Sequence, residues 1–264
     1  MELEDLLNQY NNGNISINDV KRRIAFSYIC NVGNNIAKLD INRKYRKGIP
    51  EVIYAANKDY IDIEKIILNL LKKNKTIVVS KVKKEHIKKI ENFVKKRNFY
   101  VEIGRSSSTI FISKISKFKF HYYKIGIISG GTSDIGIAEE SRLMAKAMNC
   151  DSIISYDIGI AGIHRVFPTL EKMISENVQA IVVIAGMEGA LASLVCSCVN
   201  VPVIGVPTSV GYGLGSNGIA ALSSMLQSCA LGLSVVNIDN GIGAGSFAAL
   251  IANRMSDTKT IKIK

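Results

Sequence analysis

The stretch Ile125-Gly126-Ile127-Ile128-Ser129-Gly130-Gly131-Thr132-Ser133-Asp134 decides the fold. A short β-branched run ends in two glycines, two hydroxyls and a carboxylate, and a segment long enough for a helix follows. The same order recurs four times. Ile153 to Tyr156 leads into Asp157-Ile158-Gly159-Ile160-Ala161-Gly162-Ile163-His164-Arg165, and Ala180 to Ile184 into Ala185-Gly186-Met187-Glu188-Gly189-Ala190. Val203 to Val206 leads into Pro207-Thr208-Ser209-Val210-Gly211-Tyr212-Gly213, and Val235 to Val236 into Asn237-Ile238-Asp239-Asn240-Gly241. Short, wholly apolar runs alternating with helical segments predict an α/β domain with a doubly wound parallel sheet of five strands. In such a sheet ligands bind beyond the carboxyl ends of the strands, so all five clusters are expected on one rim.

Outward from this region the composition changes. Residues 1–120 hold 25 Lys and Arg against 12 Asp and Glu; residues 121–264 hold 9 against 10. Glycine splits the other way, 4 against 17. The joint shift places a boundary near His121, between a small basic α/β amino-terminal domain (1–120) and the sheet domain (121–264). At 47% hydrophobic and 21% charged, the chain has the apolar content for a substantial core. The acidic start, Met1-Glu2-Leu3-Glu4-Asp5, is no signal region, and no apolar run approaches the length of a membrane span. A cytoplasmic protein with reduced thiols and no membrane partner is expected. The five cysteines lack paired Cys-x-x-Cys spacing, and Cys196-Ser197-Cys198 reads as small core residues.

In the first domain, residues 3–10 and 16–29 read as helices, with Ser16 and Asp19 spaced as a capping box. After the break at Gly48-Ile49-Pro50 come a helix at 61–73, a strand at 76–80, a basic helix at 83–97 and strands at 100–103 and 109–113. The segment 113–123 has no clear period and reads as linker or edge strand. Ile87, Ile90 and Val94 keep one apolar stripe on the basic helix, with lysines opposite. That pattern describes a solvated surface helix, with His86 at the surface, and nucleic acid is not expected as a partner.

Several motifs together resemble a known family. Gly130-Gly131-Thr132-Ser133-Asp134, Ala161-Gly162-Ile163-His164-Arg165 and Gly186-Met187-Glu188-Gly189-Ala190 are similar to the PurE-type aminoimidazole ribonucleotide carboxylases. Pro207-Thr208-Ser209-Val210-Gly211-Tyr212-Gly213, Ser228-Cys229-Ala230, Asn237-Ile238-Asp239-Asn240-Gly241 and the first-domain segment 37–52 resemble the LarB-type carboxylases of nickel-pincer cofactor biosynthesis within that superfamily. The resemblance implies carboxylation of the pyridinium ring of nicotinic acid adenine dinucleotide by CO2 or bicarbonate. Hydrolysis of the phosphoanhydride then releases AMP and pyridinium-3,5-biscarboxylic acid mononucleotide. It also implies a magnesium requirement, with ligands unknown, and a homo-octamer. Two rivals remain: an aminoimidazole ribonucleotide carboxylase, and a nucleotide- or RNA-binding regulator acting through the basic domain.

The resemblance puts Cys229 at the nucleophile position. By periodicity alone, Leu222, Met225, Leu226 and Cys229 form a core stripe. Glu188 is the candidate base, or a carboxylate at a helix start. His164 is a candidate proton shuttle, or a residue with a structural hydrogen bond. Gly131, Thr132, Ser133 and Asp134 are expected to hold a phosphate or ribose. Asp157 and Asp239 are expected to hold ribose or magnesium, or to cap their strands. Gly186, Met187, Thr208, Ser209 and Gly211 complete the expected substrate surface.

Overall fold

The computed structural model of the chain describes residues 3–26, 29–32, 37–40 and 43–262. Two short helices, α1 (Leu3–Asn11) and α2 (Ile17–Phe26), open it. The capping box between them is closed: the Ser16 N–H donates to Asp19 Oδ2 (3.2 Å) and the Asp19 N–H to Ser16 Oγ (3.1 Å). The helix expected over 16–29 stops at Phe26, and a hairpin of β1 (Ile29–Val32) and β2 (Ala37–Asp40) follows. Ile-Cys-Asn-Val is β-branched at both ends and lacks the helical stripe that keeps α2 amphipathic.

A short helix α3 (Arg43–Lys47) leads to a four-stranded sheet. It comprises β3 (Val52–Tyr54), β4 (Thr76–Ser80), β5 (Tyr100–Ile103) and β6 (Ile110–Ser113), in the order β3-β4-β6-β5. Helices α4 (Tyr60–Lys73) and α5 (Lys84–Lys95) connect the strands. On α5, Ile90, Phe93 and Val94 are buried while the lysines face water, as the stripe predicts. His86 departs from expectation. It is half-buried, with its ring 5.8 Å from that of Tyr60. No strand forms between 114 and 123, where Phe118 instead packs on Phe111 and Tyr100.

The second sheet contains β7 (Lys124–Ser129), β8 (Asp151–Ser155), β9 (Val178–Ala185), β10 (Val203–Pro207) and β11 (Leu233–Val235), all parallel. Its order, β11-β10-β9-β7-β8, reverses direction between β7 and β9. Helices α7 (Val166–Ser175), α8 (Ala190–Cys198) and α9 (Ile219–Leu226) share a core that includes Ile128, Val183 and Val203. Helices α6 (Ile135–Ala147) and α10 (Gly241–Lys262) cover the opposite face over Ile127, Val182 and Val206. Contact between these two helices is backbone-close. A Cβ on Gly241 would lie 2.3 Å from the Ile137 carbonyl oxygen, and one on Gly245 2.4 Å from that of Ser141.

The two sheets are joined through α6. Val78 of β4 and Phe111 of β6 belong to the same buried cluster as Met144, Met148 and Ala248. Around it, Lys146 and Arg142 reach Glu102 of β5, and Arg142 also holds Glu139 (2.7 Å). Burial works to raise the Glu139 and Glu102 pKa values, but Arg142 and Lys146 outweigh it and leave both carboxyls below the usual range.

Candidate active site

The switch point between β7 and β9 is where an open parallel sheet leaves a crevice. Here it opens into a cleft of about 480 Å3. The turn after β7 supplies Gly130, Gly131, Thr132, Ser133 and Asp134; the loop after β8 supplies Asp157, Gly159, Ile160 and Ala161. Gly186, Met187 and Glu188 come from the loop after β9, and Val210 from the loop after β10. Four of the five clusters therefore meet in one cavity. The fifth places Asp239 on an adjoining cavity of about 230 Å3 that also contains Ser209.

Glycine is needed where backbones cross. A Cβ on Gly186 would lie 2.2 Å from the Val210 carbonyl oxygen, and one on Gly159 2.8 Å from that of Gly130. Asp157 and Met187 adopt left-handed backbone (φ 58° and 53°), a conformation that concentrates at functional sites. The Met187 N–H donates to the Val210 carbonyl (3.1 Å), fixing the loop.

Asp134 is buried, and both its oxygens are engaged. Oδ1 accepts from the Thr208 hydroxyl (2.7 Å) and Oδ2 from the Gly131 N–H (2.9 Å). Burial pushes its carboxyl above the usual range, against the pull of Thr208 and Gly131. It ties the β7 turn to the β10 loop, while the neighbouring Gly131, Thr132 and Ser133 line the cavity. Thr208 is likewise buried beneath the cavity. Arg165 turns back onto Asp157, with Nη1 at 3.0 Å from Oδ2, a surface pair. The Ser209 N–H donates to Asp239 Oδ1 (2.9 Å). Glu188 projects at the cavity mouth, exposed, with no hydrogen bond or ion pair to another described residue. Its carboxylate is thus open to a ligand.

Two expected catalytic residues are not brought together with it. His164 lies exposed on the turn before α7 and outside the cavity lining. Gly211 also stays off the lining, against Met187. Cys229 lies beyond the end of α9, so the core stripe does not extend to it. Its thiol is exposed in a separate groove with Ser193, Ser197, Ser224, Gln227 and Ser228. Ser228 Oγ is 2.8 Å from Ser193 Oγ, which sets this loop against the flank of α8. Of the other pair, Cys196 is buried as expected, whereas Cys198 is exposed.

No group of three or more His, Cys, Asp or Glu residues converges among the described residues. Both Asp134 oxygens already accept a hydrogen bond, Asp157 is paired with Arg165, and Glu140 is paired with Lys81. This donor set does not fit a magnesium ion held by the protein alone. Among the described residues no helix is long and apolar enough to cross a membrane.

Comparison with known proteins identifies the family. Residues 124–264 match the AIR carboxylase family, and residues 31–114 match the LarB/PurE-like N-terminal domain. The chain belongs to the LarB/PurE-like carboxylase superfamily. One relative aligns along nearly all of this LarB/PurE-like carboxylase chain. An uncharacterized protein of Methanocaldococcus jannaschii is 44% identical over 256 residues, covering 96% of this chain and 98% of its own. Two N5-carboxyaminoimidazole ribonucleotide mutases are also similar. That of Thermotoga maritima is 29% identical over 133 residues, and that of M. jannaschii 32% over 130. Each alignment covers 48% of this chain, with 74% and 75% of the respective mutase. Family membership gives the chain a carboxylase-type role.

Proposed function

We propose that this chain carboxylates the pyridinium ring of nicotinic acid adenine dinucleotide and hydrolyses its phosphoanhydride, releasing pyridinium-3,5-biscarboxylic acid mononucleotide and AMP. One observation carries this reading over ribonucleotide carboxylation. The LarB-type first domain is built into the same core as the carboxylase sheet, and the mutase relatives align with only about half of the chain.

A pyridinium ring is electron-poor and does not attack CO2. Addition of the Cys229 thiolate at ring carbon 4 gives a dihydropyridine in which carbon 5 is the nucleophilic end of an enamine. Carbon 5 attacks CO2, forming the new C–C bond and an iminium at the ring nitrogen. Glu188 takes the proton from carbon 5, restoring the enamine. The nitrogen lone pair then expels the thiolate from carbon 4, and aromaticity returns. No oxidant enters, and the lost ring proton ends on the base. Water attack on the phosphoanhydride completes the reaction.

Glu188 and Cys229 line separate grooves of one chain, and in this reading a second copy supplies the thiol. The chain beside Cys229 suits such a neighbour: Leu226 and Leu231 are 67% and 95% exposed. A homo-oligomer follows, an octamer by the family's pattern. Incubating the protein with nicotinic acid adenine dinucleotide, magnesium and bicarbonate tests the activity. Mass spectrometry should find AMP and the dicarboxylated mononucleotide. Product from aminoimidazole ribonucleotide instead would turn the assignment to purine chemistry.

A further inference from the structure

The smaller cavity beside the switch point lies between the two domains. Lys81, Ser106, Ser107 and Ser108 come from the first domain, and Ser133, Ser209 and Asp239 from the carboxylase sheet. Ser133 and Val210 line both cavities, so the two are adjacent. A volume of about 230 Å3 lies below the range of about 300–1,000 Å3 typical of whole-ligand sites, which suits one fragment of a longer molecule.

Its charges are arranged for a neutral fragment. Lys81 Nζ lies 3.0 Å from Glu140 Oε1, and it donates to the Asp239 carbonyl (3.3 Å). The ammonium is thereby fixed, and its charge is cancelled by a buried carboxylate. Asp239 remains as a carboxylate acceptor, and five serines each donate and accept. A phosphate would face Asp239, whereas a sugar diol would find both donors and acceptors. The loop is also held in place. A Cβ on Gly136 would meet the Ser106 carbonyl at 2.4 Å, so the first-domain turn rests directly on α6. Lys81, Ser106 and Asp239 all adopt left-handed backbone.

We propose that this interdomain cavity is the subsite for the ribose of the adenylate half of the dinucleotide, with the first domain supplying the Lys81 and Ser106–Ser108 contacts. The assignment rests on the dinucleotide reading above and gives the first domain a role in substrate selection.

Titration calorimetry with AMP, 2′,3′-dideoxy-AMP and nicotinic acid mononucleotide tests it. Wild type should bind AMP about tenfold more tightly than the dideoxy form, the worth of one or two hydrogen bonds. Ser106→Ala with Ser108→Ala, and separately Asp239→Asn, should erase that preference without changing mononucleotide affinity. The serine pair lies on an exposed-to-half-buried turn, which keeps the test independent of folding. Equal affinity for AMP and its dideoxy form in wild type overturns the subsite, as does an unchanged preference in every variant. If either result comes with normal turnover of the dinucleotide, only the subsite falls. If wild type neither binds nor turns over the dinucleotide, the functional reading falls and takes the subsite with it.

Discussion

Gly131 and Gly186 line the same cavity, yet a methyl group at each meets different surroundings. At Gly131 the nearest atom, Asp134 Oδ2, is 3.5 Å from an added Cβ, an ordinary contact. Gly131→Ala should therefore leave the urea unfolding midpoint within experimental error, while its methyl projects where a ligand would lie. A fall in dinucleotide affinity at unchanged stability is the expected outcome, and unchanged affinity would move the site elsewhere. At Gly186 the Val210 carbonyl at 2.2 Å allows no such substitution without shifting a loop. Cys229 offers the complementary test. Cys229→Ser keeps size but replaces the thiol with a hydroxyl that is a poorer nucleophile and leaving group. The variant should fold and bind dinucleotide but form no dicarboxylated product. Wild type should acquire a reversible adduct with NAD, detectable by mass. Near-normal turnover by Cys229→Ser would remove the thiol from the mechanism.

At the scale of elements, the α6–α10 contact makes a quantitative demand. Gly245→Ala places a methyl 2.4 Å from the Ser141 carbonyl oxygen, so the helices must separate or bend. Overpacking of this kind costs about 1–3 kcal/mol, read as a lower urea midpoint at unchanged m-value. The strands and rim were legible in the chain because period and punctuation are local properties. Gly130 to Asp134 and Gly186 to Glu188 each follow an apolar run, and chain order alone then predicts a shared edge. The α2–β1 break was not legible, since no proline or glycine marks it. Nor was the engagement of Asp134, because its partner Thr208 lies 74 residues away. Lys81 and Ser106–Ser108 carry no motif. They reach the site only because β4 and β6 dock on α6, a tertiary event with no periodic trace in the sequence.

For the whole molecule, the shared core bears on whether the domains separate. Removing residues 1–120 would strip Val78, Phe111 and Phe118 from the surface of α6 and leave Arg142 and Lys146 without Glu102. The fragment 121–264 should be less soluble and less stable than the full chain, as sedimentation and thermal unfolding would register. The further question is how one chain joins a carboxylate at the cavity mouth to a thiol in another groove. If each site draws Glu188 from one copy and Cys229 from its neighbour, two defective chains can repair each other. Glu188→Gln and Cys229→Ser should each be inactive alone. Co-expressed in equal amounts, they should assemble mixed oligomers in which on the order of a quarter of the sites pair an intact Glu188 with an intact Cys229. Product formation should rise accordingly, while mixing after assembly should restore activity only as fast as subunits exchange. If both residues act within one chain, every site in the mixture lacks one of them, and co-expression restores nothing.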